Sequence, residues 1–193
     1  MVHEACQRRD WQAAATHALR GYGPEVLGFL VGLENSEQRG REIFSTFCED
    51  LWRGLPGFCW DCSLRTWVYT VARHACFREK RDERRRPRGI PLSQAPAVAE
   101  VALQVRSGTH TYQRTEVKAR VRRLREALPE TDRVLLILRV DREMSWRDLA
   151  RVALGASPST VELEREAVRL RKRFQLVKER LRAGLREQAR RSG

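Results

Sequence analysis

Apolar positions along the chain recur at three- and four-residue intervals, and no stretch alternates as a strand would, so the pattern predicts helices throughout. Residues 10–20, DWQAAATHALR, read as a short helix that stops at Gly21-Tyr22-Gly23-Pro24. Pro24 suits the first turn of a second helix over 24–34, with Leu27, Leu30 and Val31 on one side. A third helix over 38–53 turns Phe44, Phe47 and Leu51 inward and is broken by Gly54-Leu55-Pro56-Gly57. The next, from Ser63, carries Trp67, Val71 and Ala75 at every fourth residue, with Val68 and Ala72 beside them. Arg65, Arg73 and Arg78 fall off that stripe, and Arg81, Arg84, Arg85, Arg86 and Arg88 then form a dense run.

The pattern changes after Arg88. Residues 89–113 are low in charge and contain Pro91, Pro96 and Gly108, which fits a linker with a short helix or turn over 97–105. Helical period returns with Val117, Val121, Leu124 and Leu128, stopped by Pro129. Thr131 and Asp132 open a strongly apolar helix, VLLILRV, expected to be buried on most sides. Ser145 and Asp148 have the form of a capping box that launches a short helix with Leu149 and Ala150 inward. Leu170, Phe174, Val177, Leu181 and Leu185 trace one face of a long helix to about residue 188, whose other faces are basic. The expectation is an all-α chain of two helical domains, 10–86 and 114–188, joined by a linker over 87–113. Two helices joined by a connector, the second basic, make the second domain a helix-turn-helix candidate.

Composition sharpens this. The chain has 193 residues and a formal net charge of +13, and nucleic acid is the commonest partner of so basic a surface. Arginines interleaved with Trp60, Trp67 and Tyr69 suit unpaired nucleic acid, because arginine tracks phosphates while an aromatic face replaces lost base stacking. In the last helix Arg169, Arg171, Lys172, Arg173, Gln175 and Lys178 are the candidates for duplex DNA in the major groove, with phosphate contact favoured over base readout. Glu42, Glu49 and Asp50 form an acidic surface on the third helix, suited to docking a basic protein.

Five cysteines, an odd number, several of them within helical patterns, argue for a reducing cytoplasm, and no apolar run reaches the length of a membrane span. The opening residues carry both charges and no apolar core, so no targeting segment is expected. Cys59-Trp60-Asp61-Cys62 is a C-x-x-C with His74 and Cys76 downstream. His74 and Cys76, two apart on a helix, point to different sides, so the expectation is no metal and two incidental thiols. No P-loop, H-E-x-x-H, G-x-S-x-G or dinucleotide fingerprint occurs, so neither an enzyme nor a cofactor is expected.

YGPEVLGFL, REIFSTFCEDLWRGLPGF and SLRTWVYTVARHACFREKRDERR, with Trp52, Leu55 and Phe58, Arg65-Thr66-Trp67, Tyr69 and Ala72-Arg73 at matching spacings, resemble region 2 of the extracytoplasmic-function sigma factors of bacterial RNA polymerase. LREALPETDRVLLILRVDREMSWRDLARVAL and LRKRFQLVKERLR resemble region 4. The resemblance implies that the helix 42–52 docks on core polymerase through Glu42, Ser45, Thr46, Glu49 and Asp50. It implies that Trp60, Arg65, Trp67, Tyr69, Arg73, His74, Arg78 and Arg81 melt and read the minus-ten element. It further implies that the last helix reads the minus-thirty-five element, and that an anti-sigma factor is a candidate partner.

Three places depart from the family: Ser45 and Thr46 replace a Gln-Glu pair, His74 replaces an Asn, and GASPSTVELEREAVR replaces a tight turn. Aligning Thr160-Val161 with the family's Thr-Val would set Glu162, Glu164 and Glu166 against DNA, where carboxylates repel phosphate. The expectation is therefore a recognition segment starting near Ala167, with residues 155–166 as an insertion that extends the helix N-terminally, where acidic residues suit the helix dipole. The rival reading is a polymerase-independent helix-turn-helix regulator, which has no use for the first domain.

Overall fold

The computed structural model describes residues 1–82, 94–108, 125–155 and 157–191, and all regular structure among them is helical, as the period implied. The chain separates into two compact units, Met1–His110 and Thr111–Gly193.

The first unit is built around α2 (Trp11–Glu34), against which α1 (Val2–Gln7), α3 (Glu37–Gly54), α4 (Leu64–Asp82) and α5 (Pro96–Gly108) all pack. Local chemistry sets the helix ends. The Asp10 carboxylate accepts from the Ala13 amide at 3.0 Å and opens α2, and Asn35, left-handed at φ 54°, ends it. Ser36 accepts from the Arg39 amide at 3.3 Å to start α3, and the Ser63 hydroxyl accepts from the Thr66 amide at 3.1 Å at the head of α4. Leu19, Phe29, Leu30, Ile43, Phe44, Phe47 and Leu51 are sealed from solvent between them.

Two expectations fail here. The break at Gly21–Pro24 does not occur, and α2 runs through Pro24 unbroken. Pro24 and Arg20 both face solvent, so the carbonyl that proline leaves without a donor can turn to water, while Leu19, Val26 and Leu27 hold both halves in one core. The other is the place of the linker's middle: the short helix expected at 97–105 is present, but it packs on α2 as part of the first unit. Residues Pro96–Gly108 form α5, with Ala95, Val98, Val101 and Ala102 buried. Gly23 admits this helix: a Cβ there would stand 3.0 Å from Val105. The stretch is weakly charged because one of its faces is core.

The second unit comprises α6 (Glu130–Leu136), which widens into a π-helical turn over Ile137–Asp141, then α7 (Trp146–Leu154) and α8 (Thr160–Arg191). Val134 through Leu138 are buried as expected, and Ser145 caps α7 by accepting from the Asp148 amide at 3.1 Å. The expected stripe of Val117, Val121 and Leu124 lies outside the described residues. Leu128, Leu136 and Val177 form one small core with Phe174 and Leu181, and Ala150, Leu163 and Ala167 form another with Trp146 and Leu170.

The long helix starts at Thr160, so the stretch ahead of Ala167 is helical, as the expected N-terminal extension implies. Gly155, at φ 84°, stops α7, and Ser159 with Glu162 forms a reciprocal box: the Ser159 amide donates to the Glu162 carboxylate at 2.8 Å, and the Glu162 amide donates to the Ser159 hydroxyl at 3.3 Å. Leu163 and Ala167 extend the Leu170–Phe174–Val177 stripe backwards at helical spacing and seat it on Ala150. Residues 160–166 are thus the first two turns of α8.

Candidate nucleic-acid interface

The aromatic centre of the first unit lies where the loop before α4 meets that helix. Phe58 is held between two indoles, with ring centroids 4.7 Å from Trp67 and nearly parallel to it, and 4.7 Å from Trp60 at 42°. Trp60 is 38% exposed and sits in the left-handed backbone region at φ 59°, a conformation uncommon outside glycine. That backbone angle lifts its ring out of the core, and His3 of α1 meets it edge-on at 4.7 Å. Trp67 is half-buried, and Gly54 makes room for it: a Cβ there would stand 2.9 Å from the indole. Phe58 and His3 are members of this cluster that the helical pattern did not single out, because neither lies on a helical stripe with the others.

Trp67, His74 and Arg78 fall on one line along α4, at i, i+7 and i+11. His74 is exposed, and its imidazole is held below the ordinary value by desolvation first and then by the charge of Arg73. The Arg78 guanidinium pairs with Asp50 of α3, and Arg73 lies over the Phe77 ring at 4.5 Å. Arg81 lies in the last turn of α4, and its side chain is outside the described residues, as is the basic run at 84–88.

Tyr69 corrects the expectation of a second stacking platform. It is fully buried, edge-on to Phe29 at 5.4 Å, and its hydroxyl donates to Glu25 of α2 at 2.7 Å. Arg65 pairs with the same carboxylate, so it joins α4 to α2 instead of standing free. The signal was present in the sequence. Val68, Tyr69, Ala72, Ala75 and Cys76 follow the i, i+1, i+4, i+7, i+8 pattern of a buried face, and the Trp67–Val71–Ala75 stripe is its edge.

On α3, Glu42 is exposed, with Gln38 donating at 3.2 Å and Arg39 at 3.5 Å. Glu49 is half-buried near Arg53 at 3.8 Å, and burial pushes its carboxyl above the usual range despite that arginine. Thr46 is half-buried, and the Ser45 hydroxyl accepts from Arg106 of α5 at 3.1 Å, so α5 reaches the edge of this face. The sequence offered no pointer to Arg106, which lies 61 positions away. Of the cysteines considered with the C-x-x-C, Cys76 turns into the core, its thiol donating to Glu34 at 3.1 Å, whereas Cys59 is exposed.

In the second unit the expected DNA-facing residues divide. Arg173 turns back onto α6, pairing with the buried carboxylate of Asp132 and donating to the Thr131 hydroxyl at 2.7 Å. Arg171 lies 5.9 Å from the Trp146 ring and Lys178 lies 5.3 Å from Phe174, both beside the packing stripe. Arg169, Lys172 and Gln175 face solvent. So do Val161, Glu164, Arg165 and Val168, which the later starting point had passed over.

Among the described residues no helix is long and apolar enough to cross a membrane. No curated protein matches the chain. Residues 18–86, which run from α2 through α4, match sigma-70 region 2, a module of transcription initiation that engages RNA polymerase and promoter DNA. Over those residues the chain is similar to the sigma-70 superfamily.

Proposed function

We propose that this protein is a cytoplasmic sigma factor of the extracytoplasmic-function type, which directs core RNA polymerase to specific promoters and assists their melting. The exposed Trp60 beside the Phe58–Trp67 stack, inside the stretch that matches region 2, is the observation that carries the reading. An indole held outward on a left-handed residue, with Arg73 and Arg78 along the next helix, supports capture of a base that has left the duplex. The exposed acidic edge of α3, led by Glu42, supports docking on core polymerase. The second unit supports duplex recognition: α7, a short connector and α8 have the order of a helix-turn-helix, and the solvent face of α8 carries Arg165, Arg169 and Lys172. This role requires no catalytic step from the protein itself.

Run-off transcription tests it. Core polymerase with the protein should initiate at defined promoters, and core alone should not. A protein that bound duplex DNA specifically by itself and never joined core would instead be a free-standing regulator, and the proposal would fall.

A further inference from the structure

The carboxylates at the start of α8 are the least expected feature of a helix assigned to DNA, and the structure separates their roles. Glu162 is consumed by the Ser159 cap, whose hydroxyl donates to it at 2.7 Å, and its carboxyl is held below the usual range by that hydrogen bond. The Glu166 side chain is only 15% exposed and takes Arg169 at 3.4 Å. Glu164 differs: it is exposed and has no hydrogen bond or ion pair among the described residues. At about 3.6 residues per turn, it lies away from the stripe of Leu163, Ala167, Leu170 and Phe174 that seats the helix. Its neighbours on that outer side are Val161 at 63% exposure, Val168 at 47%, Arg165 and Lys172. Two exposed β-branched apolar side chains within the first three turns of a helix gain nothing from water.

A major-groove edge answers all of these groups. Cytosine presents its N4 amino donor there, for which a carboxylate is the fitting acceptor, and thymine presents a methyl group for apolar contact. Arg165 and Lys172 flank the carboxylate and offset its repulsion from the phosphates. We propose that Glu164 selects cytosine in the upstream duplex element by accepting a hydrogen bond from N4, while Val161 and Val168 favour thymine at neighbouring positions. This rests on the reading that α8 enters the major groove, and it names which of its residues carry base information: Glu164 and the two valines, not Arg173.

The test is retention of a randomised duplex promoter library by reconstituted holoenzyme, followed by sequencing. Glu164→Gln should exchange a cytosine preference for adenine at one position by about fivefold or more, because glutamine pairs with adenine N6 and N7. Val161→Ala and Val168→Ala should each weaken a thymine preference at an adjacent position. If Glu164→Gln instead raised retention of every sequence alike and left the preferences unaltered, Glu164 would be only a repulsive charge and the assignment would be wrong. Arg165→Ala and Lys172→Ala separate that failure from the broader one. If neither changed retention, and Glu164→Gln changed nothing either, α8 would not touch DNA and both readings would fail.

Discussion

Gly40 offers a test of the first unit's architecture in which a single methyl group decides the sign. It lies in α3 where that helix crosses α2, and a Cβ there would stand 2.6 Å from Val31 Cγ2 and 2.8 Å from the Val31 backbone nitrogen and Cα. The last two atoms cannot rotate away. To reach an ordinary contact of 3.4 Å the helices must part by about 0.6 Å (3.4 − 2.8), which loosens every neighbouring contact in the seam. Overpacking of this kind costs about 1–3 kcal/mol, and a backbone obstacle belongs at the upper end. Alanine regains about 1 kcal/mol of helix propensity, so Gly40→Ala should destabilise by about 2 kcal/mol net. Gly21→Ala is the matched control. Gly21 lies in α2 with nothing within 4 Å of its Cβ position, so the same substitution should stabilise by about 0.5–1 kcal/mol. Urea titration followed by tryptophan fluorescence reads both, since four of the five tryptophans (11, 52, 60 and 67) lie in the first unit. A midpoint for Gly40→Ala equal to or above that of the unsubstituted protein, at unchanged slope, would refute the close crossing.

Trp60→Ala should leave the unfolding midpoint nearly unchanged while weakening binding of holoenzyme to a pre-opened template about tenfold or more, as loss of one stacking platform implies; gel-shift with bubble and duplex templates reads the difference. Arg173→Ala should cost about 1–3 kcal/mol of stability, seen in urea titration, because it strips the main partner from the buried Asp132 carboxylate and leaves, among the described residues, Arg180 at 3.4 Å. His74 adds a pH dependence. Its folded value lies below its unfolded one, so the unfolded chain binds more protons there, and stability should fall as pH drops through the unfolded value of about 6.5. His74→Asn should flatten that part of the profile in equilibrium unfolding between pH 5 and 8, and an unaltered slope would contradict the assignment.

Helical class was legible because it rests on period alone, and so were the starts marked by Asp10, Ser63 and Ser145, where a side-chain oxygen substitutes for a missing turn. The misreadings share one cause: a local signal was outweighed by a contact distant in sequence. Pro24 reads as a stop until the core on both sides of it is known. The short helix within residues 96–108 reads as part of a linker until Gly23, more than seventy positions earlier, is seen to leave room for Val105. Three glutamates argued against setting the DNA-reading segment at Thr160, but one is a cap and one is paired, neither visible from charge alone. Of the candidate site, Trp60 was readable as an outward aromatic and Tyr69 as a member of a buried stripe, whereas the tie that holds Tyr69 and Arg65 to α2 was not readable. Their common partner, Glu25, lies 44 and 40 positions away.

That shared carboxylate has a genetic consequence. Glu25 grips α4 at two points one turn apart, which fixes the helix's rotation about its own axis and therefore the heading of Trp67, His74 and Arg78. A change at Glu25 would swing those side chains together while leaving each of them intact. Loss-of-function alleles should accordingly appear on α2, among residues with no nucleic acid near them, and their signature should be an opened strand held in the wrong register.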